Sequence, residues 1–469
     1  MPGWTRAEEL LEAELRQCAE AGQDASRLIE AVRAREAGDA NALLAALDAM
    51  AAAGIEDPPG EPSEIEGIEA LAAGAVDPGC ELNDEALFDR LHGAWLGRCV
   101  GCALGKPLEE FMHPAGGLTS RERVRVYVEG TGPGEYPIRD FVRLRSASEA
   151  RTGNSCCPRS TREGVVCMEP DDDMRYTVLA TRVLEESGAE FESWDVARAW
   201  MRHLPYMSVC TAETQAYRNL VERCEFHLGS DWSRERQAVD WAWVRTRQNP
   251  YREWVGAAIR ADAYGYACPG EPKRAARLAY RDARISHTGN GIYGAMFVAG
   301  IVAAALVLSD ACEVVEAGLA CVPGDSRLAR AVRESVRACA SAADDEAALD
   351  AVDRIVAGLD AAHAIVHAVI VAAALVRGGS DAMRVLSIAV GAGRDTDCNG
   401  ATAGSIVGAM VGASGVPGHM SGRLCDALET GLGDEGRVSI RAMAKRSLEI
   451  VGCVRSGGRS GGRASTIGD

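Results

Sequence analysis

Carboxylates stand in two tight groups in this chain, each just ahead of a helical run. Asp171-Asp172-Asp173 follows Glu169-Pro170 and leads into MRYTVLATRVLEE, while Asp395-Thr396-Asp397 closes the loop GAGRDTD ahead of a glycine-rich stretch. One acid is enough to cap a helix and complement its dipole, whereas three in a row repel one another. Together with Glu109 the two groups supply five or six hard oxygen donors, the kind Mg²⁺ takes while keeping some of its waters. Softer metal sites have less support. Cys99 and Cys102 make a C-x-x-C, but it lies inside a helical run and no second pair accompanies it. His363 and His367 sit four apart without the glutamate that a zinc-protease helix carries between its histidines, and read as core or surface.

A further candidate is His287, in Ser286-His287-Thr288-Gly289-Asn290-Gly291-Ile292-Tyr293-Gly294. It heads an apolar helical run, among glycines that would let a ligand approach the backbone. Trp232, Trp241, Trp243 and Trp254 cluster in sequence, and core packing or an interface is their first reading.

The elements that must position these groups have an unusual signature. Gly93, Gly97, Gly101 and Gly105 recur at a spacing of four, and so do Gly400, Gly404, Gly408 and Gly412. Each glycine inside a helix costs about 1 kcal/mol relative to alanine. Such stripes are explained by close approach of another backbone, the packing logic of small residues at every fourth position. If the two striped helices pair antiparallel, Glu109, just beyond Pro107, meets Asp395 and Asp397 at one end.

Around this frame, helical spacing predicts Leu91–Leu104, Tyr176–Glu186, Trp194–Leu204, Ile292–Leu308, Ala347–Val376 and Ala401–Val411. Arg123–Val128 (RVRVYV) alternates like a small strand, and His113–Pro170 reads as an irregular surface loop or lid. Residues 1–56 form an amphipathic helical extension, 57–83 a proline-rich acidic linker, 84–455 the main unit and 456–469 a disordered Gly/Ser-rich tail.

The chain has 469 residues, 47% apolar and 25% charged, as a soluble globular protein has. With 50 Lys and Arg against 68 acids, its formal net charge of -18 argues against a nucleic-acid or anionic-membrane binder. Aromatics are only 5% and alanine dominates, which favours packed helices over a β-sandwich. The uncharged run Gly289–Ser309 is long enough to span a bilayer, but its glycines and the lack of a basic flank make it a buried core helix. No secretory signal opens the sequence, so the 16 cysteines are expected to be reduced thiols in a cytoplasm.

Four stretches in order, DRLHGAWLGRCVGCALGKPLEE, EPDDDMRYTVLA, SHTGNGIYGAMFVAGIVAAAL and GRDTDCNGATAGSIVGAMVG, resemble the ADP-ribosylglycohydrolase family. The resemblance implies an all-α orthogonal helical bundle with two Mg²⁺ ions in a central cleft, Mn²⁺ being the alternative. It also implies hydrolysis of the glycosidic bond at C1″ of an ADP-ribosyl group on a protein or small molecule. Carried onto this chain, Asp171, Asp172, Asp173, Asp395 and Asp397 match the metal ligands. Glu109, Asp172 and Asp397 are the candidates for catalysis, and His287 matches the histidine near the substrate. Gly289, Asn290, Tyr293 and Gly393 are the further substrate-binding candidates. Three departures stand out: Asp171 and Met174 where the family often has threonines, Cys398 where it often has threonine, and Cys102 where it has aspartate.

Three other functions fit the same residues. One is hydrolysis of a small N-riboside, and another is non-catalytic binding of ADP-ribose. The third is a phosphohydrolase with Asp395 and Asp397 as nucleophile and acid, though that fold wants its Asp-x-Asp early in an alternating α/β domain.

Overall fold

The computed structural model describes residues 5–74, 77–223 and 238–456; Trp232 and the tail from 457 onward lie outside the described residues. Those residues fold as an all-α protein, and the one sheet among them is a short antiparallel pair, Ala427–Glu429 with Arg437–Ser439. We number the helices used below in chain order. The amino-terminal region holds α1 (Ala7–Glu20), α2 (Ile29–Glu36), α3 (Ala40–Ala53) and α4 (Ile65–Leu71). The body is built on α5 (Asp84–Gly105), α6 (Ser120–Glu129), α7 (Asp172–Ser187), α8 (Pro272–Ala283), α9 (Gly289–Ala305), α10 (Arg327–Ser341), α11 (Asp345–Ile355), α12 (Ala364–Gly378), α13 (Ala382–Gly391), α14 (Thr396–Val411) and α15 (Ile440–Ser456).

Every residue of α9 is buried, which explains a helix apolar all round: α8, α10 and α12 pack about it. No helix among the described residues is long and apolar enough to cross a membrane.

Helices α5 and α14 run antiparallel with their glycine stripes face to face. A Cβ added at Gly93, Gly97 or Gly101 would collide with the carbonyl of Gly408, Gly404 or Gly400 respectively, and the reverse holds for each partner. Gly105 faces the backbone of Thr396, whose hydroxyl donates to the Gly105 carbonyl at 2.8 Å. Each stripe therefore admits the other helix's backbone, and only glycine leaves room for it.

Several local expectations are corrected. Arg123–Val128 belongs to α6, because Thr119 and Glu122 form a capping box and Val124, Tyr127 and Val128 bury one helical face. The run Ala347–Val376 is two helices, α11 and α12. They are parted near Gly358 at φ 87°, and His363 caps α12 by accepting from the Ile365 N–H. The segment 113–170 is not a loose lid, since Ile138, Phe141, Val142 and Val165 are buried in the main core. Within 57–83, α4 is helical and Glu61 and Ser63 are buried.

The extension is bound to the body by a second apolar cluster, in which Leu10, Leu11, Leu43 and Leu47 meet Ala212 and Tyr251. At its centre Glu14 receives both terminal nitrogens of Arg252 at 2.7 Å, with the two side chains only 3% and 2% exposed. Beside them Gln17 donates to Glu253, and Arg327 bridges Glu61 and Glu253. Removing one partner of such a buried pair strands a desolvated charge, at a cost of about 3–5 kcal/mol. Glu14→Ala is therefore expected to lower the unfolding free energy by that amount and to expose α1 to protease. An unchanged denaturation midpoint would contradict it.

Candidate active site

The antiparallel pairing fixes the site. Helix α5 ends at Gly105 and continues through Lys106 and Pro107 as a 3₁₀ turn carrying Glu109, opposite the first turn of α14 with Asp395 and Asp397. Helix α7 supplies the third edge. Asp171 is its N-cap, accepting from the Asp173 N–H at 2.9 Å, so only one of the three acids is used in capping. Asp172 and Asp173 are left for other work.

Six carboxylates thus converge from three distant segments. Asp171, Asp173, Asp395 and Asp397 are buried, whereas Glu109 and Asp172 keep partial access to solvent. Burial pushes Asp172 up to about 7, with the Asp171 charge adding to the effect. Glu109, Asp173 and Asp397 are pushed well above the usual carboxylate range by burial first and then by one another and their acidic neighbours. Asp171 is the exception. Burial acts against its charge too, but the Lys106 ammonium 2.5 Å from Oδ2 overrides it and holds the carboxyl below its ordinary value. Lys106 also donates to the Pro170 carbonyl at 2.7 Å. Arg98, fully buried on α5, lies 3.4 Å from Asp173 and 2.9 Å from Asp262.

Two groups of side chains have donor atoms close enough to share an ion: Cys102 with Asp171 and Asp173, and Asp173 with Asp397 and Cys398. Asp173 Oδ2, Asp395 Oδ1 and Asp397 Oδ1 are buried without a hydrogen-bond partner. Leaving such oxygens dry is costly, so the donor set suits a cation.

The structure places the other sequence candidates as follows. His287 is fully buried, its Nδ1 against Ser286 Oγ at 2.8 Å, and burial followed by the Arg260 charge pushes it well below the ordinary histidine range. Gly289 donates its N–H to Ser63, Asn290 reaches Glu61 and Glu253, and Tyr293 donates to the Pro62 carbonyl. Gly289, Asn290 and Tyr293 thus bond the amino-terminal region. Gly393 is a turn glycine at φ 71° lodged against Ser120 and Arg121. Of the tryptophans, Trp243 stacks under Arg223 and Arg247, and Trp254 packs edge-on to Tyr251 at 4.9 Å. His367 meets Asn399 at 2.9 Å in the core.

Sequence reasoning missed Lys106 as the counter-charge of Asp171. The only signal was a lysine between the glycine stripe and Pro107. It also passed over Arg98, one residue after Gly97 in an otherwise small and apolar stretch.

With this arrangement in view, the family model for ADP-ribosylglycohydrolase matches residues 83–454. The chain belongs to the ADP-ribosylglycohydrolase family. Among solved structures, one described as an "ADP-ribosylglycohydrolase-related protein complex" is similar over 79% of this chain and 99% of that one, at 18% identity and a TM-score of 0.48. No curated protein matches the chain. The ADP-ribosylglycohydrolase region takes in both glycine-striped helices and all six carboxylates, and it begins beyond α4.

Proposed function

We propose that this protein is a divalent-ion-dependent glycohydrolase that cleaves the C1″ N-glycosidic bond of an ADP-ribosyl group, on a protein or a small molecule. One observation carries the reading: six carboxylates meet at the shared end of α5 and α14, and three of their buried oxygens have no partner. Asp173, Asp395 and Asp397, whose buried oxygens lack partners, would hold a divalent ion; oxygens alone would suit Mg²⁺ or Mn²⁺. When bound, the ion supplies positive charge that orients the ribose hydroxyls and a water.

The residues of the chain then divide the work by accessibility. Glu109 and Asp172, the two carboxyls that keep partial access to solvent, would face the substrate side and accept the proton of the attacking water. As the bond from C1″ to the leaving nitrogen breaks, positive charge grows on the sugar, and the surrounding carboxylates stabilise it. Asp397, buried with a partnerless Oδ1 beside Asp173, would serve as an ion ligand.

Calorimetry with free ADP-ribose tests this, with Mg²⁺, Mn²⁺ and Zn²⁺ supplied in turn and then with EDTA. Binding that needs an ion and that EDTA abolishes is expected, together with release of ADP-ribose from an N-linked ADP-ribosyl substrate. No binding with any of the three ions would refute the reading.

A further inference from the structure

The two ion-sized groups are not equivalent. In the first, Asp171 already has a cation: Lys106 Nζ lies 2.5 Å from its Oδ2, and the Cys102 sulfur is within 4.8 Å of the Asp171 and Asp173 carboxylates. In the second, Asp173 Oδ2 and Asp397 Oδ1 are buried and have no partner, and Cys398 completes the set. Asp173 is shared by both groups, and its other oxygen lies on the Arg98 side. The chain therefore brings its own fixed positive charge to one half of the cluster and leaves the other half open.

The open half contains a thiol. Mg²⁺ takes oxygen ligands and has little affinity for sulfur, whereas Zn²⁺, Fe²⁺ and Co²⁺ accept thiolate beside carboxylate. Cys398 is 6% exposed and sits in the first turn of α14, one residue after Asp397, with its sulfur within 4.8 Å of the Asp173 and Asp397 carboxylates. Its position among the carboxylates is fixed by the glycine pairing of α14 with α5, which leaves the turn little freedom to carry the sulfur away.

We infer that the site binds one thiophilic divalent ion of the Zn²⁺ or Fe²⁺ kind through Asp173, Asp397 and Cys398, with the Lys106 ammonium replacing a second ion at Asp171. On binding, the Cys398 S–H bond breaks, its proton passes to solvent and the sulfur lone pair bonds the metal. This rests on the reading of the carboxylate end as a metal site, but it concerns ligation and stoichiometry, which are measured without substrate.

The test is titration of the full-length, chelator-stripped protein with Co²⁺, followed in the near ultraviolet, where thiolate-to-cobalt charge transfer absorbs. Cys156 and Cys157, adjacent thiols with partial access to solvent, are first changed to serine so that they do not contribute. The expected result is a charge-transfer band that saturates at one equivalent. Zn²⁺ should displace it stoichiometrically, and Mg²⁺ should fail to do so even in large excess. Cys398→Ser should abolish the band and weaken Co²⁺ binding by at least about 10–100-fold, while Cys102→Ser keeps both. Lys106→Met should raise the stoichiometry from one to two.

Saturation at two equivalents in the parent, a band that survives Cys398→Ser, or displacement by Mg²⁺ as readily as by Zn²⁺ would each overturn the inference. Should Cys398→Ser fail to fold, the competition of Zn²⁺ against Mg²⁺ on the parent still decides it. An inactive protein that gives the band retains the metal assignment and loses the glycohydrolase reading; an active one with no band does the reverse.

Discussion

Replacing Gly101 by alanine will destabilise the protein by more than about 4 kcal/mol, a loss that only a few mechanisms can produce. Intrinsic preference points the other way, since alanine in a helix is favoured by about 1 kcal/mol. The new methyl group, however, would lie inside the carbonyl of Gly400, with Leu386 close behind. Flexible side chains move aside at modest cost, but a helix backbone cannot, so α5 and α14 must part along their length. Gly452 is the matched control: it lies within α15, and a Cβ there meets nothing within 4 Å. Gly452→Ala should raise stability by up to about 1 kcal/mol. Urea unfolding of both variants reads the difference. Equal effects would mean that the stripes are not in backbone contact.

The second large effect concerns chemistry. Changing Asp395 and Asp397 together to asparagine should lower turnover by at least about 10²–10⁴-fold, because it removes metal-holding charge. The same change should raise the melting temperature of the ion-free protein. Asp397 is buried among Glu109, Asp395, Asp171 and Asp173, so its charge opposes folding until a cation offsets it. Added divalent ion should then stabilise the parent and leave the variant unmoved, as expected when a ligand binds only the folded form of one of them. Loss of activity with a lower melting temperature would point instead to simple damage. Full activity would remove Asp395 and Asp397 from the mechanism.

How much of this could be read beforehand depended on the kind of signal. The glycine stripes were legible because a periodic cost demands a compensating contact, and the pairing of α5 with α14 followed from it, along with the meeting of Glu109 and Asp397. The acidic triplet was legible as an excess over what capping requires, and the structure uses Asp171 alone as the cap. Other features depended on partners far away in sequence. Gly289, Asn290 and Tyr293 look like ligand contacts until Ser63, Glu61 and Pro62 are seen beside them. A proline-rich acidic stretch gives no sign that its glutamate will be buried against Asn290 and Arg327. The helical nature of Arg123–Val128 was hidden because two arginines and a tyrosine alternate with three valines, and the deciding information lay upstream in the Thr119–Glu122 capping box.

The pairing of α5 with α14 also sets a timetable. The Thr396 hydroxyl that bonds the Gly105 carbonyl comes 291 residues later in the chain. At the roughly 5–20 residues per second of protein synthesis, α5 leaves the ribosome roughly 15–60 s before its partner exists. Throughout that interval a bare backbone edge, shaped to accept another helix at close range, has nothing to accept. Newly made copies on neighbouring ribosomes carry the same edge. Helix α5, made well before its partner, therefore has to be shielded or kept apart until α14 arrives, and yields in a heterologous host should rise when few chains are made at once, or chaperone supply is high enough, to keep those edges from meeting.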